Sequence, residues 1–202
     1  MQTEFFAVRI ERPLLPAQRV ILARCLPPQR AARLQRENER RRDEVLCAYG
    51  LLTAALAERF GRKRIPELSV SARGKPFFAD RTDLHFSLSH TEGAALAGLS
   101  PMPLGVDAER LRPPPERLHR RFALADDEAF WANWTRREAL AKLRDEPPAV
   151  WGRNEAPLRP GEHLIQLTGL CGCAAAAAGE APLPSCVKVL SVGRLLEAAA
   201  GQ

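Results

Sequence analysis

Two carboxylates set two residues apart, Asp107 and Glu109 in Leu104-Gly105-Val106-Asp107-Ala108-Glu109-Arg110, are the first residues whose type and spacing suggest chemistry. In an extended segment residues i and i+2 point to the same side, so these side chains repel each other unless a cation, a proton or solvent separates them. Oxygen-only ligands of this kind suit a hard divalent ion. Magnesium takes one or two carboxylates and keeps waters and substrate phosphates as its other ligands. Gly105 leaves the backbone free to bend or to be approached closely. The competing reading is a solvated strand end that enters the loop Arg112-Pro113-Pro114-Pro115.

A second group lies further on. Trp134, Glu138 and Lys142 recur every four residues and would share one face of a helix. Such a stripe is either half-buried packing with a surface ion pair or an acid and a lysine aimed at one ligand. A third group, Arg40, Arg41 and Arg42, stands among Glu37, Glu39 and Glu44, which also describes a solvated helix face.

The elements that must position these groups can be read from the pattern. Met1 to Ile10 is strand-like, and Pro13 to Pro28 encloses a short helix. Val45, Tyr49, Leu52, Leu56 and Phe60 have helical spacing, so one long helix, or two in line, ends at Gly61. Leu68 to Ala72, Leu84 to His90 and Ala94 to Leu99 read as strands, with a turn at Gly74-Lys75-Pro76 and a break at Pro101-Met102-Pro103. Glu116 to Phe122 reads as a basic helix. Asp126 and Asp127 then open a helix that runs to Lys142 or Arg144 and ends before Pro147 and Pro148. His163 to Leu167, Cys171 to Ala178 and Val187 to Val192 read as strands of a second lobe. The expected class is α+β with two similar lobes, residues 1–103 and 104–202, related by a pseudo-two-fold. Each would be a long helix on a small antiparallel sheet, with the site at the lobe interface.

The 202 residues suffice for that arrangement. With 46% apolar and 27% charged residues and no long apolar run, the expectation is a soluble protein with no membrane partner. The N-terminus is unlike a secretory signal, which makes the cytoplasm the expected location. Five scattered cysteines fit neither a disulfide framework nor a zinc knuckle. A net charge of +6 points to an anionic partner.

Gly74-Lys75-Pro76, Phe86-Ser87-Leu88-Ser89-His90, Gly105-Val106-Asp107-Ala108-Glu109 and Trp134-Thr135-Arg136-Arg137-Glu138-Ala139-Leu140-Ala141-Lys142 together resemble, in order, the motifs of the 4′-phosphopantetheinyl transferases of the surfactin-synthetase type. The resemblance runs from the first strand to Lys142. It implies Mg²⁺-dependent transfer of 4′-phosphopantetheine from coenzyme A to a serine of an acidic apo carrier protein, acyl or peptidyl, with release of adenosine 3′,5′-bisphosphate. It further implies magnesium ligands at Asp107, Glu109 and Glu138, with Glu138 also the base for the serine. Gly74, Lys75, Pro76, Ser89, His90 and Lys142 would lie on coenzyme A, with His90 and Lys142 at its phosphates. One arginine of the 40–42 cluster would meet the 3′-phosphate; Arg42 is favoured, then Arg40. Arg137 departs from the family's usual lysine, the Arg110 to Asn133 segment is short, and the usual glycine-rich continuation after Lys142 is missing. The alternatives are an inactive binder of coenzyme A or of a carrier protein, and a nucleic-acid module. The latter would need stacking aromatics, and Gln29 to Glu44 contains none, so no nucleic-acid partner is expected.

Overall fold

Strand β1 (Glu4–Arg9) buries Phe5, Phe6, Ala7 and Val8 on both of its faces, which marks it as an inner strand. The computed structural model describes residues 2–61, 65–118, 126–147 and 157–201. After β1 come α1 (Pro16–Ala23), α2 (Pro28–Leu34) and the long α3 (Glu39–Phe60). Asn38 caps α3 by accepting from the Arg41 amide at 2.9 Å, and Gly61 closes it in the left-handed conformation at φ 62°. Of the two expected arrangements, one long helix or two, the structure has two, separated between Leu34 and Glu39.

A hairpin of β2 (Leu68–Val70) and β3 (Pro76–Phe78) follows, then β4 (His85–Thr91), β5 (Ala94–Ser100) and β6 (Leu104–Arg110). The next described helix is α4 (Asp127–Arg144), with Asp126 as its N-cap, and then β7 (His163–Gln166), β8 (Cys173–Gly179), β9 (Lys188–Leu190) and α5 (Val192–Ala200). Of the expected helix Glu116 to Phe122, residues 119–122 lie outside the described residues, as does Pro148. No described helix is long and apolar enough to cross a membrane.

The result is an α+β fold in layers. One sheet has the order β4-β5-β1-β9 and another the order β6-β8-β7. Pairing is antiparallel in both except between β1 and β9, which run parallel. The first sheet packs one face on α3 and α5 through Phe6, Val8, Leu52, Leu56, Phe86 and Leu195. Its other face meets the second sheet through Phe5, Ala7, Leu96, Val106, Ala175 and Ala177. Beyond the second sheet lies α4, with Ala139, Leu140 and Leu143 on Ala176 and Ala178. The segment expected as a last strand of the second lobe, Val187 to Val192, instead gives β9 to the edge of the first sheet beside β1, and α5 packs on α3. Phe6, Ala7 and Val8 already lie in an apolar layer, so a second partner, this one parallel, completes β1 and covers its open edge.

The alanine run in β8 sets the depth of α4. Methyl side chains let the helix settle low on the sheet, and at Gly105 on the facing strand the two backbones touch. A Cβ there would lie 2.1 Å from the Ala139 carbonyl oxygen and 2.5 Å from the Leu143 nitrogen. Glycine is required at that position by close approach, not by its torsion angles.

Candidate functional site

Strands β4 and β6 lie side by side at the edges of their two sheets, and side-chain hydroxyls join them where no backbone ladder exists. The Ser87 hydroxyl accepts from the Val106 amide at 3.0 Å, Ser89 from Ala108 at 3.2 Å and Thr91 from Arg110 at 3.0 Å. The period of two that brings Ser87, Ser89 and Thr91 to one side of β4 matches the period of the β6 amides they cap. Two of these hydroxyls act twice. Ser89 donates to Asp107 Oδ1 at 2.8 Å, and Thr91 donates to Glu109 Oε2 at 3.1 Å. The seam between the sheets thus also orients both carboxylates.

From the opposite side α4 contributes Lys142 and Glu138. Lys142 Nζ donates to Asp107 Oδ1 at 2.7 Å and to the Val106 carbonyl at 3.0 Å. Asp107 is only 4% exposed, and its Oδ2, also buried, has no hydrogen-bond partner among the described residues. Glu138 is pushed up to about 7, first by burial and then by the charge of Asp107, with Lys142 opposing. Glu109 is likewise raised by burial and by Asp107, while its hydrogen bond from Thr91 opposes. Three acids and a lysine therefore share one electrostatic neighbourhood. Among the described residues, however, no three His, Cys, Asp or Glu side chains stand close enough to hold a metal ion by themselves.

His90, at the end of β4, lies between two cavities. Its Nδ1 is 3.3 Å from Glu44 Oε2, and burial holds its pKa below the usual value. Glu44 is buried on α3 and also pairs with Arg40 and Arg41. The smaller cavity, about 370 Å³, is bounded by Arg40, Arg41, His90, Glu109 and Arg112. Arg112 lies over the Trp131 ring at 5.6 Å, and Trp131 Nε1 donates to the Arg112 carbonyl at 2.6 Å. The aromatic side of α4 thus holds the chain just beyond Glu109. The larger cavity, about 880 Å³, lies between α2, α3 and the β2–β3 hairpin; Gly74, Pro76 and His90 line it together with Arg24, Arg30, Arg33 and Tyr49.

Two residues stand elsewhere than expected. Arg42 donates from Nε to the Leu34 carbonyl at 3.1 Å and from Nη2 to the Gln35 carbonyl at 2.7 Å, closing the C-terminal end of α2, and lines neither of these cavities. Lys75 Nζ turns to the carbonyls of Leu104 at 3.0 Å and Lys142 at 2.6 Å. Several residues that sequence reasoning passed over belong to the site by position. Glu44 reads as one more acid in a solvated run, and Arg24, Arg30 and Arg33 as ordinary surface cations. Thr91 could have been found, because it continues the Ser87, Ser89 alternation.

Comparison with known proteins adds a measure of likeness. No family model matches the chain. It is 33% identical over 138 residues to the 4′-phosphopantetheinyl transferase AcpT of Escherichia coli O157:H7, covering 59% of this chain and 65% of that protein. The same-named protein of Escherichia coli K12 is 32% identical over 138 residues, with the same shares of 59% and 65%. That of Salmonella typhi is 32% identical over 125 residues, 52% of this chain and 59% of its own. The chain thus spans less than two thirds of the length of the curated relatives it matches, and over that span it is similar to 4′-phosphopantetheinyl transferases.

Proposed function

We propose that the protein transfers the 4′-phosphopantetheine group of coenzyme A to a serine hydroxyl of an apo carrier protein. The observation that carries this reading is the gathering of Asp107, Glu109, Glu138 and Lys142 at the seam of two sheets, beside arginine-lined cavities. Similarity to proteins named for this transfer supports it.

The donor set fits a magnesium ion. Asp107 Oδ2 is buried without a hydrogen-bond donor among the described residues, and Glu109 and Glu138 have raised pKa values partly through the charge of Asp107. A cation would relieve both conditions. No cage of three side chains is needed, because magnesium usually retains waters and takes phosphate oxygens from its substrate. Asp107 and Glu109 would hold the ion, with Glu138 at its margin. The ion would supply charge neutralisation at the diphosphate.

The chain's own groups do the rest. Lys142, fixed by Asp107 and the Val106 carbonyl, places a cation beside the diphosphate. Glu138 is the group to accept the serine proton, since a cation beside it would offset the burial and the Asp107 charge that raise its pKa and keep its carboxylate ionised near neutrality. The serine oxygen forms a bond to the β-phosphorus of coenzyme A, the bond to the bridging oxygen breaks, and adenosine 3′,5′-bisphosphate departs. His90, Arg40 and Arg41 would meet phosphates from the α3 side, and the positive protein surface would attract an acidic carrier.

The test is incubation with coenzyme A and a panel of apo carrier proteins, with or without Mg²⁺, scored by intact mass. Carrier modified only with Mg²⁺ present supports the proposal. Coenzyme A binding without modification of any carrier would replace it with a binding role.

A further inference from the structure

We infer that Lys75 is a positioning residue, whose ammonium ties the β2–β3 hairpin and strand β6 to the last turn of α4 and so fixes Glu138 and Lys142 against Asp107. This inference rests on the transfer reading above. The Lys75 side chain bridges two elements that carry the site: Leu104, whose carbonyl it meets at 3.0 Å, adjoins the tight contact at Gly105, and Lys142, whose carbonyl it meets at 2.6 Å, carries the amine that holds Asp107. The last four carbonyls of a helix lack partners within it and lie at its negative end, so a lysine there satisfies an acceptor and complements the dipole.

The neighbouring hydrogen bonds belong to the same clamp. Ser71 Oγ donates to Asp145 Oδ1 at 2.9 Å and accepts from the Lys75 amide at 3.1 Å. Asp145 is the C-cap of α4, in the left-handed conformation at φ 51°. One turn of the hairpin thereby grips both the last turn of α4 and its cap. Burial lowers the Lys75 pKa while Asp145 opposes the shift, so the two carbonyls stand in for the lost solvent. Gly74 and Pro76 on either side line the larger cavity, yet the ammonium between them is committed to main-chain oxygens. Two of its three N–H donors are spent in this way.

A ligand-contacting lysine and a positioning lysine predict opposite kinetics. Lys75→Met should lower kcat by at least about tenfold, because a displacement near 1 Å of catalytic groups can cost about a hundredfold. Its coenzyme A Kd by calorimetry should weaken by less than the fall in kcat, because Lys142 alone among the proposed phosphate contacts moves with α4. The amides of Leu143 and Arg144 should exchange faster, and Lys75→Arg should restore most of their protection. A Kd weakened tenfold with kcat unchanged would overturn the inference. Should Lys75→Met fail to fold, amine acylation of the wild-type protein decides: Lys75 should stay unlabelled with or without coenzyme A while Lys188 is labelled. Labelling of Lys75 in the free protein, suppressed by coenzyme A, would make it a ligand contact. A wild-type protein that transfers nothing would sink the transfer reading alone, since exchange and labelling still report whether Lys75 holds α4.

Discussion

Substituting alanine for Gly105 adds one methyl group at the point where β6 and α4 touch. That methyl carbon would sit 2.1 Å from the Ala139 carbonyl oxygen, 2.5 Å from the Leu143 nitrogen and 2.9 Å from Lys142 Cβ. Carbon contacts at rest lie at about 3.5–4.0 Å, so the backbones must part by roughly 1 Å or more. Neither side can give through a rotamer, because the two nearest atoms are main chain. β6 is held by hydrogen bonds to β8 and by the Ser87, Ser89 and Thr91 hydroxyls. Overpacking typically costs about 1–3 kcal/mol, and the upper end applies where only backbone can move. For a chain of this size each kcal/mol lowers Tm by about 2–4 °C, which gives a loss of roughly 6–12 °C. Activity should fall further, by about a hundredfold, since Glu138 and Lys142 move with the helix. The assay is thermal unfolding beside transfer to an apo carrier protein. Gly193→Ala is the control: its Cβ would find only Ser191 Oγ at 3.5 Å, an ordinary contact, and alanine in that helix should be neutral or stabilising by up to about 1 kcal/mol. If Gly105→Ala had the Tm and turnover of wild type, α4 would not lie on β6 as described, and the account of how the site is held would fail.

Thr91→Val keeps the shape but removes both a donor to Glu109 and an acceptor for the Arg110 amide; it should cost about 1–3 kcal/mol by denaturant unfolding and reduce turnover, whereas Thr91→Ser should recover most of both. Asp43 is 3% exposed and accepts from the Leu14 amide and from Arg19 Nε and Nη2, so Asp43→Ala should destabilise by about 1–3 kcal/mol, chiefly through the stranded Leu14 amide, and a midpoint within error of wild type would remove it as the anchor of α1 on α3. The raised pKa values of Glu109 and Glu138 mean that the folded protein binds protons more tightly than the unfolded chain. Their contribution therefore destabilises progressively as pH rises from 4.5 to about 7, most fully above 7. In buffer free of divalent ions Glu138→Gln should flatten that fall, and Mg²⁺ should raise Tm more at pH 8 than at pH 5; a Mg²⁺ effect independent of pH would argue against carboxylate ligation.

What the sequence determined by itself was local. The Val45, Tyr49, Leu52, Leu56 spacing, the Asp126 cap and Gly61 follow from hydrogen bonds and packing that repeat within a few residues. The same local geometry put Ser87 and Ser89 on one side of β4 and Glu138 and Lys142 on one face of α4. The tertiary structure decided which faces meet. Whether Lys75 turns to a ligand or to two carbonyls depends on α4 ending above the hairpin, nearly seventy residues away in the chain, a partner that no spacing rule reaches. Arg42 is drawn to the end of α2 because the break between α2 and α3 leaves carbonyls open there. Glu44 becomes a buried partner of His90 only when α3 lies on β4. The return of β9 to β1 was equally hidden, since a three-residue strand carries too little pattern to name its neighbour. A side chain's type and local direction are fixed by the few residues around it. Its partner is fixed by the burial of distant apolar faces, and that is decided only when the sheets and helices close on one another.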